Sequence, residues 1–484
     1  MRFQFLFGVF AVTLAAREAA GQVPQPLRPF VKEDARVIVL NHIRVVDGTG
    51  AAPSEDAQIV IRDGRIVSVQ PAATASAPPA DAKLLNLAGK TAIPGLVGMH
   101  EHLFYPLPDG GPGRLPLYGE MADSAPRLYL AAGVTSARTA GSMEPYTDLS
   151  LKKLIGSGAT PGPKLHITGP YIGSYIVPIP QMHVLTGPDD AARLVDYWAT
   201  EGATSFKIYN VITPEELKAA IDHAHARGLK VTGHLCSIGF TQAASLGIDN
   251  LEHGLVVDTE FFPGKKPGVC PNPGPVEEDM AKNLDIESAK VQDMIHDLVA
   301  HHVAVTSTLA IFETSVPNRP PLESLTKTQA ALTVKAWASF LATRARIAEH
   351  AATSPWPVLF RKEMQFERDF VKAGGLLMSG CDPTGYGGVL AGFGDQRELE
   401  LLVEAGFTPI EAIRIATENA AKFLGEDSQV GTISAGKAAD IVVIDGNPAA
   451  NIGDIRKVDT VFKDGVGYDP AKLIDSVQGL MGLR

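Results

Sequence analysis

The sequence predicts an α/β protein: a (β/α)8 TIM barrel joined to a small composite β-sandwich made from the two ends of the chain. Three observations predict it. Apolar, strand-type runs alternate with helical segments through the middle of the chain, the pattern of parallel α/β architecture. Eight such strands can be drawn from Ile93 to Ser379, which is the strand count of that barrel. Short β segments with tight-turn residues recur at both ends and bracket the barrel, so they are expected to pair with each other.

In chain order, residues 1–21 stand apart. Arg2 gives a positive start, Phe3 to Ala16 is mostly apolar, and Ala19-Ala20-Gly21 offers a cleavage site before Gln22. This is the pattern of a secretory signal peptide and predicts an exported protein, periplasmic or secreted. Residues 22–92 form the first part of the sandwich. Pro24, Pro26 and Pro29 mark an extended linker, followed by β segments Val37 to Leu40, Ile43 to Val46, Gln58 to Ile61 and Arg65 to Val69. Asp63-Gly64 is a two-residue hairpin signal, Pro71 to Asp81 a surface loop, and Lys83 to Leu87 extended again.

The barrel is expected over 93–429. Its strands are Ile93 to Met99, Gly133 to Thr139, Lys164 to Thr168, Ser205 to Tyr209, Lys230 to His234, Asn250 to His253, Val303 to Thr308 and Gly375 to Ser379. After the fourth, Thr213 caps a helix with Pro214 in its first turn, Glu216 completing a capping box and Gly228 past its end. Thr408, Pro409 and Glu411 repeat that start signal. Residues 255–290 and 310–330, rich in proline, are long connections and candidate lids. Residues 430–470 return to β pattern with an Asp464-Gly465 turn, and 471–484 read as a tail.

Composition narrows the function. The 484 residues are 45% hydrophobic and 20% charged, as in an ordinary globular protein, with a net charge of −11. That balance, without any basic run, excludes a nucleic-acid partner. No stretch is long and apolar enough for a membrane span. The partner expected is a small-molecule substrate; a homo-oligomer is compatible with the sequence. The three cysteines, Cys236, Cys270 and Cys381, are too few for a disulfide framework and read as small buried packing residues.

The chemistry gathers where strands end, because sites in such barrels lie at the C-terminal ends of their strands. The first strand ends Gly-Met-His100-Glu-His102. In extended backbone the two histidines share a face and can grip one ion, while Glu101 points away and outward. The fourth strand places Lys207 in apolar company, where an amine tends to lose its proton. The fifth and sixth end in His234 and His253, and the eighth runs into Asp382. Singly, each has a bland reading as a satisfied core histidine, a rim lysine or a helix cap; as an ordered set they form a candidate metal centre. Tyr209, two residues past Lys207, is a candidate catalytic donor to a developing oxyanion. Arg138 and His183 are candidates to hold a substrate carboxylate, with a structural salt bridge and a surface histidine as their alternatives. Tyr386 is a candidate pocket residue.

The run Pro94-Gly-Leu-Val-Gly-Met-His-Glu-His102, with Lys207, His234, His253 and Asp382 in that order, resembles the binuclear branch of the amidohydrolase superfamily. Residues 431–445 and the Asp63-Gly-Arg-Ile-Val hairpin resemble that family's small β-sandwich, so the likeness covers nearly all of the chain after residue 21. It implies that His100, His102 and Asp382 hold one divalent ion and His234 and His253 a second. Lys207, carboxylated by CO2 to a carbamate, would bridge them. Asp382 would also accept the proton of the nucleophilic water. The ligand types suit zinc, with manganese and cobalt also compatible.

The implied activity is hydrolysis of an amide bond in a small substrate, as in the family's Xaa-Pro dipeptidases and N-acyl amino acid amidases, by hydroxide activated between the ions. Cyclic amides or lactones are alternatives, and an inactive binding relative a more distant one, since all six ligands are present. Deaminase relatives place a glutamate close after the fifth-strand histidine, where this chain has Leu235-Cys236-Ser237. No Gly-x-Ser-x-Gly elbow points to a serine hydrolase.

Overall fold

Valine- and isoleucine-rich runs separated by tight turns build the first sheet. In the computed structural model, which describes residues 23–107, 115–175 and 178–482, the predicted signal peptide lies outside the described residues. The strands that open the described chain are β1 (Val31–Glu33), β2 (Val37–Val45), β3 (Ser54–Arg62), β4 (Arg65–Pro71), β5 (Lys83–Asn86) and β6 (Thr91–Pro94). Asp63 and Gly64 turn β3 into β4 with φ of 50° and 79°, the left-handed geometry that an Asp-Gly hairpin calls for.

The expected first barrel strand is divided. Its opening residues belong to β6, and β7 (Leu96–Glu101) begins two residues later. The short β8 (Phe104–Pro106) and β9 (Tyr118–Glu120) follow as an antiparallel pair. Then come β10 (Val134–Thr139), β11 (Lys164–His166), β12 (Ser205–Ile208), β13 (Lys230–Gly233), β14 (Asn250–Glu252), β15 (Ala304–Ser307) and β16 (Leu377–Ser379). The chain returns to β structure in β17 (Ile441–Ile444), β18 (Val458–Lys463) and β19 (Val466–Tyr468).

Every strand expected for the barrel is present, within a few residues at either end, and all pair in parallel. They form a three-stranded sheet, β11-β10-β7, and a five-stranded sheet, β12 to β16 in order, rather than one continuous ladder. Hydrogen bonds connect the sheets at both edges. Gly169 N donates to Ser205 O and Ile172 N to Lys207 O, each at 2.9 Å, and Asp382 N donates to His100 O at 3.0 Å. The chain ends meet as expected: β6 pairs antiparallel with β17, Ile93 opposite Val442, inside a nine-stranded sheet that runs from β1 to β4. The core between strands and helices is mostly apolar, with Val134, Phe206, Val231, Leu251 and Val305 fully buried, though Arg138, Glu252, Glu363 and Glu398 are buried in it as well.

Thr213 and Thr408 cap their helices, Pro214–Ala226 and Pro409–Arg414, each with the reciprocal glutamate bond of a capping box. Three expectations change. The stretches read as loops hold helices, Pro273–Asn283 and Thr326–Ala331 among them. The end of the chain is no loose tail: Pro470–Asp475 is helical, and Leu473, Val477 and Met481 are buried. Cys236 and Cys270 are not packing thiols but a disulfide, 34 residues apart in sequence with Cα atoms 5.0 Å apart. A low cysteine count says nothing about one pair that the fold brings together; Cys381 is free and buried, as expected. No helix among the described residues is long and apolar enough to cross a membrane.

Candidate active site

His100 lies near the end of β7 and His102 just past it, both 2% exposed. Asp382 enters from the segment after β16, anchored by its own N–H on His100 O. Gly380 lets that segment come so close, since a Cβ there would lie 2.3 Å from His100 N. The ligand-type atoms of His100, His102 and Asp382 all fall within 4.8 Å of one another. Asp382 Oδ1 is 3.2 Å from His102 Nε2 and 3.8 Å from His100 Nε2.

The other two histidines close the group. The His253 ring centroid lies 4.5 Å from that of His100 and 4.3 Å from that of His234, and its Nδ1 is 3.9 Å from Asp382 Oδ2. Thr308 Oγ1, 2.8 Å from the same nitrogen, fixes the ring. His253 and Asp382 both adopt positive φ, 74° and 47°. For non-glycine residues this costs about 1–3 kcal/mol each and is concentrated at functional sites. Lys207 on β12 is 1% exposed, its Nζ has no hydrogen-bond partner, and the nearest carboxylate oxygen, Glu252 Oε1, is 4.0 Å away.

Electrostatics suit this donor set to divalent cations. Burial, with Lys207 nearby, lowers His100 to about 4 and His234 to about 3, so both imidazoles are neutral and have lone pairs to give. Burial also lowers Lys207 to about 8, against the pull of Glu252 and Asp382, so roughly a tenth of the amine is free of its proton at pH 7, far more than for an ordinary lysine. For Asp382 burial works upward, yet His100, His102 and His253 bring it well below the usual carboxylate range. A buried amine without a hydrogen bond, neutral imidazoles and an ionised carboxylate close together are what a metal centre needs. His102 Nδ1 is likewise buried without a partner.

Glu252 is the residue sequence reasoning missed. Fully buried beside His253, it lies 2.7 Å from His100 Nδ1 and accepts from Arg138 Nη2 at 2.6 Å and from Thr232. This bond turns His100 Nε2 toward Asp382, the usual service of a carboxylate behind a metal-binding imidazole. A signal existed: a glutamate inside the buried strand Asn250-Leu-Glu must have a cationic or donor partner.

That partner corrects the reading of Arg138. Its guanidinium is 1% exposed and donates to Met99 O, Asn250 Oδ1 and Glu252, so it is a structural ion pair beneath the histidines and does not face a substrate. Arg138 sits on the inward face of β10, and a side chain of that length reaches across the interior to β14. His183 is a 44% exposed side chain whose Nε2 lies 2.7 Å from Asp190 Oδ2.

Glu101 does point away from the histidines, as expected, but not outward. It is 0% exposed and grouped with Cys381 and Asp395, the Cys381 thiol lying 3.1 Å from its Oε2. Burial and the neighbouring Asp395 push its carboxyl well up. Tyr209 packs beside the site, its ring 5.4 Å from His234 and 4.9 Å from Tyr171. Tyr386 donates to Thr314 O at 2.5 Å and lines a cavity.

Parallel strands that deliver histidines, a lysine and an aspartate to one point define a hydrolase built on an α/β scaffold. The chain belongs to the amidohydrolase family, whose model matches residues 91–467. It is similar to the crystal structure of a Xaa-Pro dipeptidase with methionine bound in its active site, at 21% identity and a TM-score of 0.66 over 90% of this chain and 100% of that one. A putative prolidase from Bifidobacterium longum is 23% identical, with a TM-score of 0.64 over 92% of this chain and 99% of the other. A bottromycin amidohydrolase is 20% identical, with a TM-score of 0.65 over 93% and 92%. No curated protein matches the sequence.

Proposed function

We propose that the protein is an exported, metal-dependent hydrolase that cleaves the amide bond of a small substrate of the dipeptide or N-acyl amino acid type. One observation carries this: His100, His102, His234, His253 and Asp382 gather beside a buried Lys207 whose amine has no hydrogen-bond partner. In this reading the two parallel sheets are parts of one (β/α)8 TIM barrel, and the mixed sheet belongs to a composite β-sandwich.

His100, His102 and Asp382 would hold one ion and His234 and His253 the other, zinc by ligand type with manganese or cobalt compatible. The unprotonated fraction of Lys207 could react with CO2, forming an N–C bond and releasing a proton, and the resulting carbamate would add a negatively charged ligand for the ions. Such a pair of ions supplies a nucleophilic water at neutral pH and polarises the scissile carbonyl. Asp382, held ionised, would be placed to take a proton from the attacking water. Glu252 keeps His100 oriented, and Tyr209 donates its hydroxyl to the developing oxyanion. The disulfide supports export, since such bonds persist in oxidising compartments.

The test is turnover of purified, metal-loaded protein against dipeptides and N-acyl amino acids, with and without a chelator. Hydrolysis that is lost on demetallation and restored by zinc or manganese is the expected result. Full activity in demetallated protein, or none on any amide, would overturn the proposal.

A further inference from the structure

The three imidazoles that face Asp382 are not held alike. His100 has its Nδ1 on Glu252 at 2.7 Å, and His253 has its Nδ1 on Thr308 at 2.8 Å. His102 Nδ1 is buried without a hydrogen-bond partner, and its ring rests on Phe104 with 4.4 Å between centroids. A stacked ring can slide in its own plane. With no polar contact behind the ring, the direction of His102 Nε2 has to be set by its backbone.

That backbone lies beyond the sheet. The β7 strand ends at Glu101, whose C=O accepts from Ala140 N at 2.9 Å, and His102 is the first residue past it. Buried main-chain groups need partners, and here one side-chain atom serves both. His102 N donates to the Tyr129 hydroxyl at 3.1 Å, and that hydroxyl donates to His102 O at 3.0 Å. Bonded at both its N–H and its C=O, the residue can neither slide nor turn freely. The hydroxyl is held in its turn. Tyr129 is 0% exposed near the end of the helix Ser124–Ala131. Gln396 Nε2 donates to Ala132 O at 3.1 Å just past that helix, and a Cβ on the neighbouring Gly392 would lie 2.3 Å from Leu128 O.

We propose that Tyr129 is a positioning residue for one of the two ions: its hydroxyl fixes the His102 backbone and so aims the imidazole beside Asp382. The role rests on the metal-hydrolase reading and adds to it a residue from outside the strands. It acts on the ion of His100, His102 and Asp382 and leaves that of His234 and His253 alone.

The experiment is zinc titration of metal-free wild type and Tyr129→Phe against a chromophoric chelator, beside urea unfolding of both metal-free proteins. Tyr129→Phe keeps the ring and removes only the hydroxyl. One of the two ions should bind about 10- to 100-fold more weakly, the scale for groups that orient a metal ligand, with the other unchanged. In a His102→Ala background, with no imidazole left to aim, the same substitution should move zinc affinity no further. A lower unfolding midpoint with both zinc affinities intact would make Tyr129 merely structural and overturn the proposal. So would an equal loss of affinity in the His102→Ala background. If Tyr129→Phe does not fold, hydrogen exchange of the wild type decides: the His102 amide should be protected, and exchange at the rate of an exposed amide would overturn the proposal. Wild type that binds no zinc would overturn the metal-hydrolase reading and the positioning role with it.

Discussion

Replacing Arg138 with methionine removes a cation from the floor of the site while keeping most of the side chain's length. In the wild type that guanidinium is 1% exposed and neutralises Glu252, itself 0% exposed, while capping Met99 O and Asn250 Oδ1. Burial raises the Glu252 carboxyl, but Lys207, Arg138 and His100 outweigh it and hold the group well below its ordinary range. Arg138→Met takes one of those three partners away and leaves a buried carboxylate without its guanidinium donor. Breaking such a pair from one side costs roughly 3–5 kcal/mol, a loss much larger than the worth of the intact pair. The assay is urea unfolding of metal-free wild type and variant at neutral pH, followed by circular dichroism, beside KM for substrates with and without a free carboxylate. A clearly lower unfolding midpoint, with no KM effect specific to carboxylate substrates, is expected. An unchanged midpoint with KM raised only for carboxylate substrates would refute the reasoning and return Arg138 to substrate binding.

Two further outcomes follow. Cys270→Ser opens a loop of 34 residues, worth about 4 kcal/mol by loop-closure entropy; an unfolding midpoint insensitive to both this substitution and dithiothreitol would contradict a structural bridge. Stability should also fall as pH rises. Burial pushes the Glu363 carboxyl up to about 8 and that of Glu398 up to about 7. Folded protein therefore binds protons that the unfolded chain has released, so this stability is full below about pH 4.5 and is lost as pH climbs through 7 to 8. Glu363→Gln should flatten that decline, and unfolding midpoints of the two proteins that run parallel with pH would contradict it.

What the sequence could show was set by how local each signal is. Strands, the Asp63-Gly64 turn and the capping boxes of Thr213 and Thr408 depend on neighbours a few residues away, and these are where they were expected. The six candidate ligands were legible because a parallel strand fixes where its end points, so order along the chain becomes position around the site. Arg138 and Glu252 are 114 residues apart and the disulfide spans 34, and no periodicity registers such pairings. Glu101 alternates correctly away from His100 and His102, but alternation cannot tell a buried carboxyl among Cys381 and Asp395 from a solvated one. The division of the first barrel strand between β6 and β7 was hidden for a related reason. An uninterrupted apolar run reads the same whether it serves one sheet or two.

The central claim is that Lys207 completes a two-ion centre with the four histidines and Asp382. Its most direct test is the metal content of purified wild type and Lys207→Ala, measured by elemental analysis after loading with zinc under CO2-saturated buffer. About two ions per chain in wild type, falling by at least one in the variant, is the predicted result. One ion or none in wild type, or full occupancy in Lys207→Ala, would contradict it.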